Sequence, residues 1–266
     1  MADAVLYSQT GHVVTLTLNR PDALNPLSDP DMIDGLVAAC ARIDADSSVR
    51  CSIITGAGHA FSAGGNVKHM RERTDMFAGP PDRIAQAYRD GIHRVPRAVY
   101  ALRTPLIAAV NGAAVGAALD VVCMADIRLA AATASFGTGF IKIGIGPGDG
   151  AAWFLPRAVG ESKAAELLLT GRTMDADEAL RCGLVSRVLT GADLMPAALD
   201  IAERIARHPP LAVQASKRLL RESVHQSLEA HLEACAAANA DLHHTADHHE
   251  ALAAFFERRP GTYRAE

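Results

Sequence analysis

Between Pro105 and Ala125 the chain runs for 21 residues with one charged side chain, Asp120. Length and apolarity alone would suit a membrane span. Asn111, Gly112, Gly116 and Asp120 interrupt it and split it into a short apolar run, Leu106–Val110, and a second run opening near Gly116. A strand covered on both faces, followed by a buried helix, fits this pattern better. Such a pair needs apolar cover on every side, so the chain must build a large core. Its 266 residues are 49% apolar and 21% charged, enough for one large domain or one domain with a small appendage. A chain of this length buries about 70–75% of its unfolded surface and needs no disulfide or metal staple. A net charge of −4 leaves no basic footprint for nucleic acid or an anionic membrane, and disorder is excluded by the same balance.

Cys40, Cys51, Cys123, Cys182 and Cys235 are odd in number, widely spaced and free of any CxxC pair. They read as reduced structural thiols of a cytoplasmic protein. Met1–Thr10 has no basic stretch leading into an apolar run, so no signal peptide is expected.

Val13–Leu18 alternates as a strand and enters the turn Asn19-Arg20-Pro21-Asp22. Ser28 or Asp29 can cap a helix with Pro30 at its first position, carrying Met32, Ile33, Leu36, Val37 and Cys40 at helical spacing. Arg50–Thr55, Ile127–Ala131, the segment around Phe136 and Val185–Leu189 read as further strands. His69–Arg94, with Gly79-Pro80-Pro81 inside it, reads as a mobile loop entering a helix. From about Pro196 the chain turns helical, over Ala198–Arg207, Ala212–Ala238 and Ala246–Arg258. The expected division is therefore 1–195, a repeated strand–turn–helix body, and 196–266, a helical tail.

Two segments carry chemistry. In one, a strand feeds the small-residue loop Gly56-Ala57-Gly58-His59-Ala60-Phe61-Ser62-Ala63-Gly64-Gly65-Asn66-Val67, which lets a ligand approach the main chain. In the other, Ala109–Val115 feeds Gly116 and a helix start at Ala117, where free N–H groups and the helix dipole point at whatever lies there. Two such N–H groups converging on one oxygen form an oxyanion hole. Each segment alone could equally be a tight turn in a core.

Together, at this separation, they resemble the signature of the crotonase, or enoyl-CoA hydratase/isomerase, superfamily. The resemblance continues through Leu18-Asn19-Arg20-Pro21, Ala23-Leu24-Asn25, Cys123–Arg128, Leu155–Gly160, Leu169-Thr170-Gly171, Gly183-Leu184-Val185 and Ala254–Pro260, so it covers nearly the whole chain in order. It implies an α/β fold, a crotonase-like spiral of ββα units with a C-terminal helical region that builds trimers, often paired into hexamers. The implied ligand is an acyl-CoA thioester, with coenzyme A entering as part of the substrate and no separate cofactor. Its carbonyl oxygen would be held by the N–H groups of Gly65 and Ala117. Alanine at 117 replaces a common glycine but keeps the N–H. Ala23, Ala63, Asn66, Val67 and Lys68 would line the CoA path, Asn66 in place of a common aspartate.

The resemblance also exposes departures. Hydratases of this superfamily split water between two glutamates. Asp120 stands at the first position and Phe140 at the second, and a phenyl ring cannot transfer a proton. Asp149, within Pro147-Gly148-Asp149-Gly150-Ala151, lies in a turn that several branches use for catalysis. It is the expected leading acid/base, with Asp120 second. Two carboxylates facing one apolar cavity push their pKa values apart. The bland alternatives are a turn-stabilising Asp149 and an Asp120 bonded to a neighbouring loop. His93 could assist, although a lone histidine there also suits packing. His243–His249 offers i,i+4 imidazole pairs, but no metal site is expected. Gly146-x-Gly148-x-x-Ala151 lacks the context of a dinucleotide site. Arg258 or Arg259 could reach a CoA phosphate of a neighbouring subunit. The expected activity is isomerisation, or impaired hydration, of an enoyl-CoA. The alternatives are hydrolysis or dehalogenation through Asp149, and a CoA-ester-binding protein without catalysis.

Overall fold

The computed structural model describes residues 3–266. Its strands, in chain order, are β1 (Val5–Thr10), β2 (Val13–Leu18), β3 (Cys51–Gly56), β4 (Ala60–Ser62), β5 (Leu106–Val110), β6 (Ala113–Val115), β7 (Ile127–Ala131), β8 (Ser135–Gly137), β9 (Thr173–Asp175) and β10 (Arg187–Leu189). The helices are α1 (Pro30–Ala45), α2 (Val67–Glu72), α3 (Pro81–Asp90), α4 (Arg94–Ala101), α5 (Ala117–Met124), α6 (Ala151–Val159), α7 (Glu161–Thr170), α8 (Ala176–Arg181), α9 (Gly191–Ala206), α10 (Pro210–Glu222), α11 (Leu228–His243) and α12 (Ala246–Glu257).

One sheet runs β1-β2-β3-β5-β7-β10 and a smaller one β4-β6-β8-β9. The pairs β1–β2 and β8–β9 are antiparallel, and the others are parallel. The pairs β3–β4, β5–β6 and β7–β8 each lay their first strand in the large sheet and their second in the small one, then lead into a helix. This is the expected spiral of ββα units. Along the large sheet, Ile53, Ile107, Ala109 and Leu129 point to one face and Ile54, Ala108, Val110 and Ala130 to the other, the period-two consequence of a pleated strand. Both faces are buried, which is why β5 reads as an unbroken apolar run. The charge-poor stretch that follows becomes β5, β6 and α5, and no helix among the described residues is long and apolar enough to cross a membrane.

Several expectations need correction. β1 shows no clear apolar alternation and was not foreseen; it is an edge strand that borrows its register from β2. β4, β6 and β9 span three residues each, too short to display any period. The 69–94 segment is mostly helical, over α2, a 3-10 turn at Asp75–Phe77, and α3. The single helix expected over Ala212–Ala238 is two, because a 3-10 turn at Ser223–His225 ends the first and the Ser227 side chain caps the second. The expected division at 195/196 falls inside α9, whose Leu194, Ala198 and Ala202 pack on the Ile53, Ile107 and Leu129 face of the large sheet. The helices beyond that sheet are α10–α12. Lys217 of α10 ties them to the body, with Nζ 2.8 Å from Asp126 and 2.8 Å from the Thr104 carbonyl oxygen; Arg221 reaches the other Asp126 oxygen at 2.8 Å.

Candidate active site

The segment from Gly56 to Asn66 is pinned from three directions. Asn25, fully buried with φ +55°, donates to the carbonyl oxygens of Ala57, Ala60 and Phe61 at 3.0, 3.2 and 3.1 Å. Asn111 accepts from the Gly56 N–H at 3.0 Å and donates to the Gly58 carbonyl oxygen at 3.1 Å. Ser28 and Asp29, the two candidate caps of α1, turn instead to this loop. Ser28 Oγ accepts from the Asn66 N–H at 2.8 Å and Asp29 Oδ1 from Asn66 Nδ2 at 3.1 Å. Asn66 in turn caps α2 through the N–H groups of Lys68 and His69.

Gly64 and Gly116 decide how closely the two signature segments meet. Gly64 has φ +82°, and a Cβ there would lie 2.3 Å from the Val115 carbonyl oxygen and 3.3 Å from the Ala117 nitrogen. Only glycine permits that approach. Gly116, φ +57°, ends β6 and turns the chain into α5. The N–H groups of Gly65 and Ala117 donate to no acceptor among the described residues. That of Ala117 is a first-turn orphan of the helix.

Both residues line a cavity of about 240 Å³, together with Ala63, Val67, Phe140 and Asp149. Met70, Met76, Phe77, Tyr88 and Ile92, from the 69–94 segment, form another wall. Phe140 is buried, and its ring passes 3.5 Å from where a Cβ on Gly116 would sit. Where the resemblance expects a second glutamate, the wall is therefore apolar. Thr138 also borders the cavity, but its hydroxyl is spent on the Leu167 carbonyl oxygen at 3.0 Å.

Asp149 is half-buried, with Oδ1 enclosed and without a hydrogen-bond partner among the described residues. Burial pushes its carboxyl up to about 6, against a smaller opposing pull from His93. Asp120 lies one helical turn beyond Ala117, 1% exposed, with Oδ2 unpartnered. Burial, and then the nearby Asp149, hold its pKa well above the ordinary carboxylate range, while the Ala151 main chain opposes them. Asp120 is not part of the cavity wall, and the charge of Asp149 reaches it. The His93 ring nitrogen Nε2 lies 2.8 Å from the Gly148 carbonyl oxygen. A carbonyl only accepts, so Nε2 carries the proton and is not a free base. The same ring meets Tyr88 edge-on at 5.8 Å.

The remaining candidates lie further out. Ala23 ends a 3-10 turn beside Leu24, whose carbonyl oxygen accepts from the Ala63 N–H at 2.8 Å. Lys68 is exposed on α2. Arg259 is forked onto Glu250 at 2.6 and 2.9 Å. His243 and His248 touch at 3.0 Å, yet no group of three metal-type side chains gathers among the described residues. Sequence reasoning took Ser28 for a helix cap rather than a cavity residue and missed the wall from Lys142 to Ile145. The 3-10 turn Phe140–Ile143 that aims this wall depends on left-handed Gly139 and Gly144, a signal visible only as glycine spacing. A larger cavity, about 470 Å³ between α4, α10 and α11, has its Lys217 and Arg221 already paired with Asp126.

The family model for enoyl-CoA hydratase/isomerase matches residues 8–266. The chain belongs to the enoyl-CoA hydratase/isomerase family. It is 37% identical over 261 residues to a probable enoyl-CoA hydratase of Mycobacterium bovis, covering 97% of this chain and 96% of that one. It is 35% identical over 260 residues to the 2,3-dehydroadipyl-CoA hydratase of Escherichia coli K12, covering 98% of each. The crystal structure of an enoyl-CoA hydratase from Bacillus anthracis superposes with a TM-score of 0.92 at 32% identity, over 99% of this chain and 100% of that one. The crotonase-type fold of this family member is thereby shared from end to end.

Proposed function

We propose that this protein processes acyl-CoA thioesters, holding the thioester carbonyl oxygen between the N–H groups of Gly65 and Ala117 and moving a proton with Asp149. The observation that carries the reading is Asp149: a carboxylate with one unpartnered oxygen, in the wall of the cavity that those two N–H groups also face. A carboxyl near 6 is ionised at neutral pH yet basic enough to accept a proton from carbon. In β,γ- to α,β-isomerisation, Asp149 takes the proton from the carbon next to the carbonyl. The electron pair moves onto the carbonyl oxygen, where each N–H contributes about 3–4 kcal/mol of stabilisation. The same proton returns to the γ-carbon, and the double bond shifts. One carboxylate suffices for this, whereas hydration through a glutamate pair lacks its second member at Phe140. Ala23, Ala63, Asn66, Val67 and Lys68 lie along the coenzyme A path, largely through main-chain atoms, and no separate cofactor takes part.

Hydration is the second reading, favoured by the names of the relatives. Hydrolysis with His93 as base would have to use Nδ1, because Nε2 donates to the Gly148 carbonyl oxygen. Mass spectrometry of enoyl-, dienoyl- and β-keto-acyl-CoAs in deuterated, oxygen-18 water separates these reactions. Deuterium uptake or a shifted double bond without oxygen supports isomerisation. Oxygen uptake establishes hydration, and cleavage establishes hydrolysis. No turnover across the panel would leave a CoA-ester-binding protein.

A further inference from the structure

Asp149 has a second side. Together with Gly148 it borders the cavity described above and also an open groove of about 600 Å³ between α4 and the start of α6. The groove is walled by Pro96, Tyr100, Trp153 and Phe154, whose rings pack edge-on at 4.7–5.5 Å and form a fixed apolar surface. Two cationic-type side chains border it. His93 is engaged with the Gly148 carbonyl oxygen. Arg97, one turn further along α4, has no carboxylate partner among the described residues, and it donates a long 3.3 Å hydrogen bond to the Arg89 carbonyl oxygen. Arg157 lies over the Trp153 ring, 3.9 Å from its centroid, also without a carboxylate. From Asp149 outward the surface is thus apolar first and cationic at its rim.

We infer that this groove receives the distal part of the acyl group and that Arg97 recognises a terminal carboxylate on it, so that the preferred substrates are ω-carboxyacyl-CoA thioesters. The inference rests on the acyl-CoA reading above and deepens it. The chain of such an acyl group passes Asp149 with its reacting carbons beside the carboxylate, and its methylenes follow the ring wall. Its terminal carboxylate then forms a charge-assisted, two-pronged pair with the guanidinium, geometry that arginine provides and lysine does not. A methyl-ended chain gains the apolar contact but leaves the guanidinium to water.

Binding of saturated CoA thioesters, measured by calorimetry, tests this without requiring turnover. The ligands are matched pairs, butanoyl with succinyl, pentanoyl with glutaryl and hexanoyl with adipoyl, each differing in a terminal methyl against a carboxylate. In at least one pair the carboxylated ester should bind about tenfold more tightly. Arg97→Gln, on an exposed helix face, should erase that preference and change the methyl-ended ester by less than about twofold. Equal affinities in every pair, or a preference that survives Arg97→Gln, would overturn the assignment while leaving the acyl-CoA reading intact. Failure of every ester to bind would overturn both.

Discussion

The proposed role of Asp149 rests on its surroundings: burial raises its carboxyl and His93 at the start of α4 opposes that rise. Replacing it with Asn keeps shape and removes the base, so kcat should fall about 10²–10⁴-fold with KM nearly unchanged, measured on whichever ester turns over. The ionised form is the active one, so the rate should drop about tenfold per pH unit below a pH near 6. His93 holds the Asp149 turn through its Nε2 proton and pulls the Asp149 carboxyl down. His93→Gln, which keeps a donor, should retain most of kcat. His93→Phe, which keeps only the ring contact, should lose it, and both should move the kinetic pKa upward. Equal loss in both variants would instead mean that the imidazole itself transfers a proton. Stability has the opposite pH sense to activity. Asp149 and Asp120 both have raised pKa values when folded, so the folded chain holds their protons more tightly than the unfolded one. Their contribution is complete below pH 4 and is lost as pH rises through the folded pKa values. Asp120→Asn should therefore raise Tm at pH 8, by about 2–4 °C for each kcal/mol relieved, and flatten the pH dependence of unfolding.

At the level of elements, the oxyanion geometry depends on two backbone segments pressed together more tightly than side chains allow. Gly64→Ala would force a methyl to within 2.3 Å of the Val115 carbonyl oxygen at a positive φ. The loop must then move, and Gly65 with it. The expected result is loss of turnover with a destabilisation of about 1–3 kcal/mol, read by kinetics and thermal unfolding of the same sample. Both signature segments were legible, because glycine runs after apolar strands are local features. β4 and β6, which carry them, were not, since three residues show no period and exist only by pairing side by side in the small sheet. The wall at Lys142–Ile145 escaped notice for a related reason: its exposed isoleucines, Ile143 and Ile145, look like core residues until folding places them at the cavity.

Across the whole molecule, α10–α12 lie beyond the double-sheet body and present Leu220, Val224, Leu228, Phe255 and Phe256, each more than 60% exposed. Large apolar side chains this exposed mark an interface, and we propose them as the surface of the trimer that the resemblance implies. Phe255→Glu combined with Phe256→Glu should convert the assembly to a monomer in light scattering. The attachment of these helices is electrostatic. Asp126→Asn leaves the nearly buried Lys217 without its counter-charge, which costs about 3–5 kcal/mol and should separate the unfolding of the tail from that of the body.

The sequence by itself determined the fold class and the family, and it located the two glycine-rich segments, the two aspartates and Phe140. These are properties of residue type and short spacing. Tertiary structure alone decided that Asp149 borders the cavity while Asp120 does not, that His93 spends its Nε2 proton on Gly148, and that Arg97 and Asp149 border one groove. Burial and distance between α4, α5 and α6 govern each of these, and they arise only when segments far apart in the chain pack together.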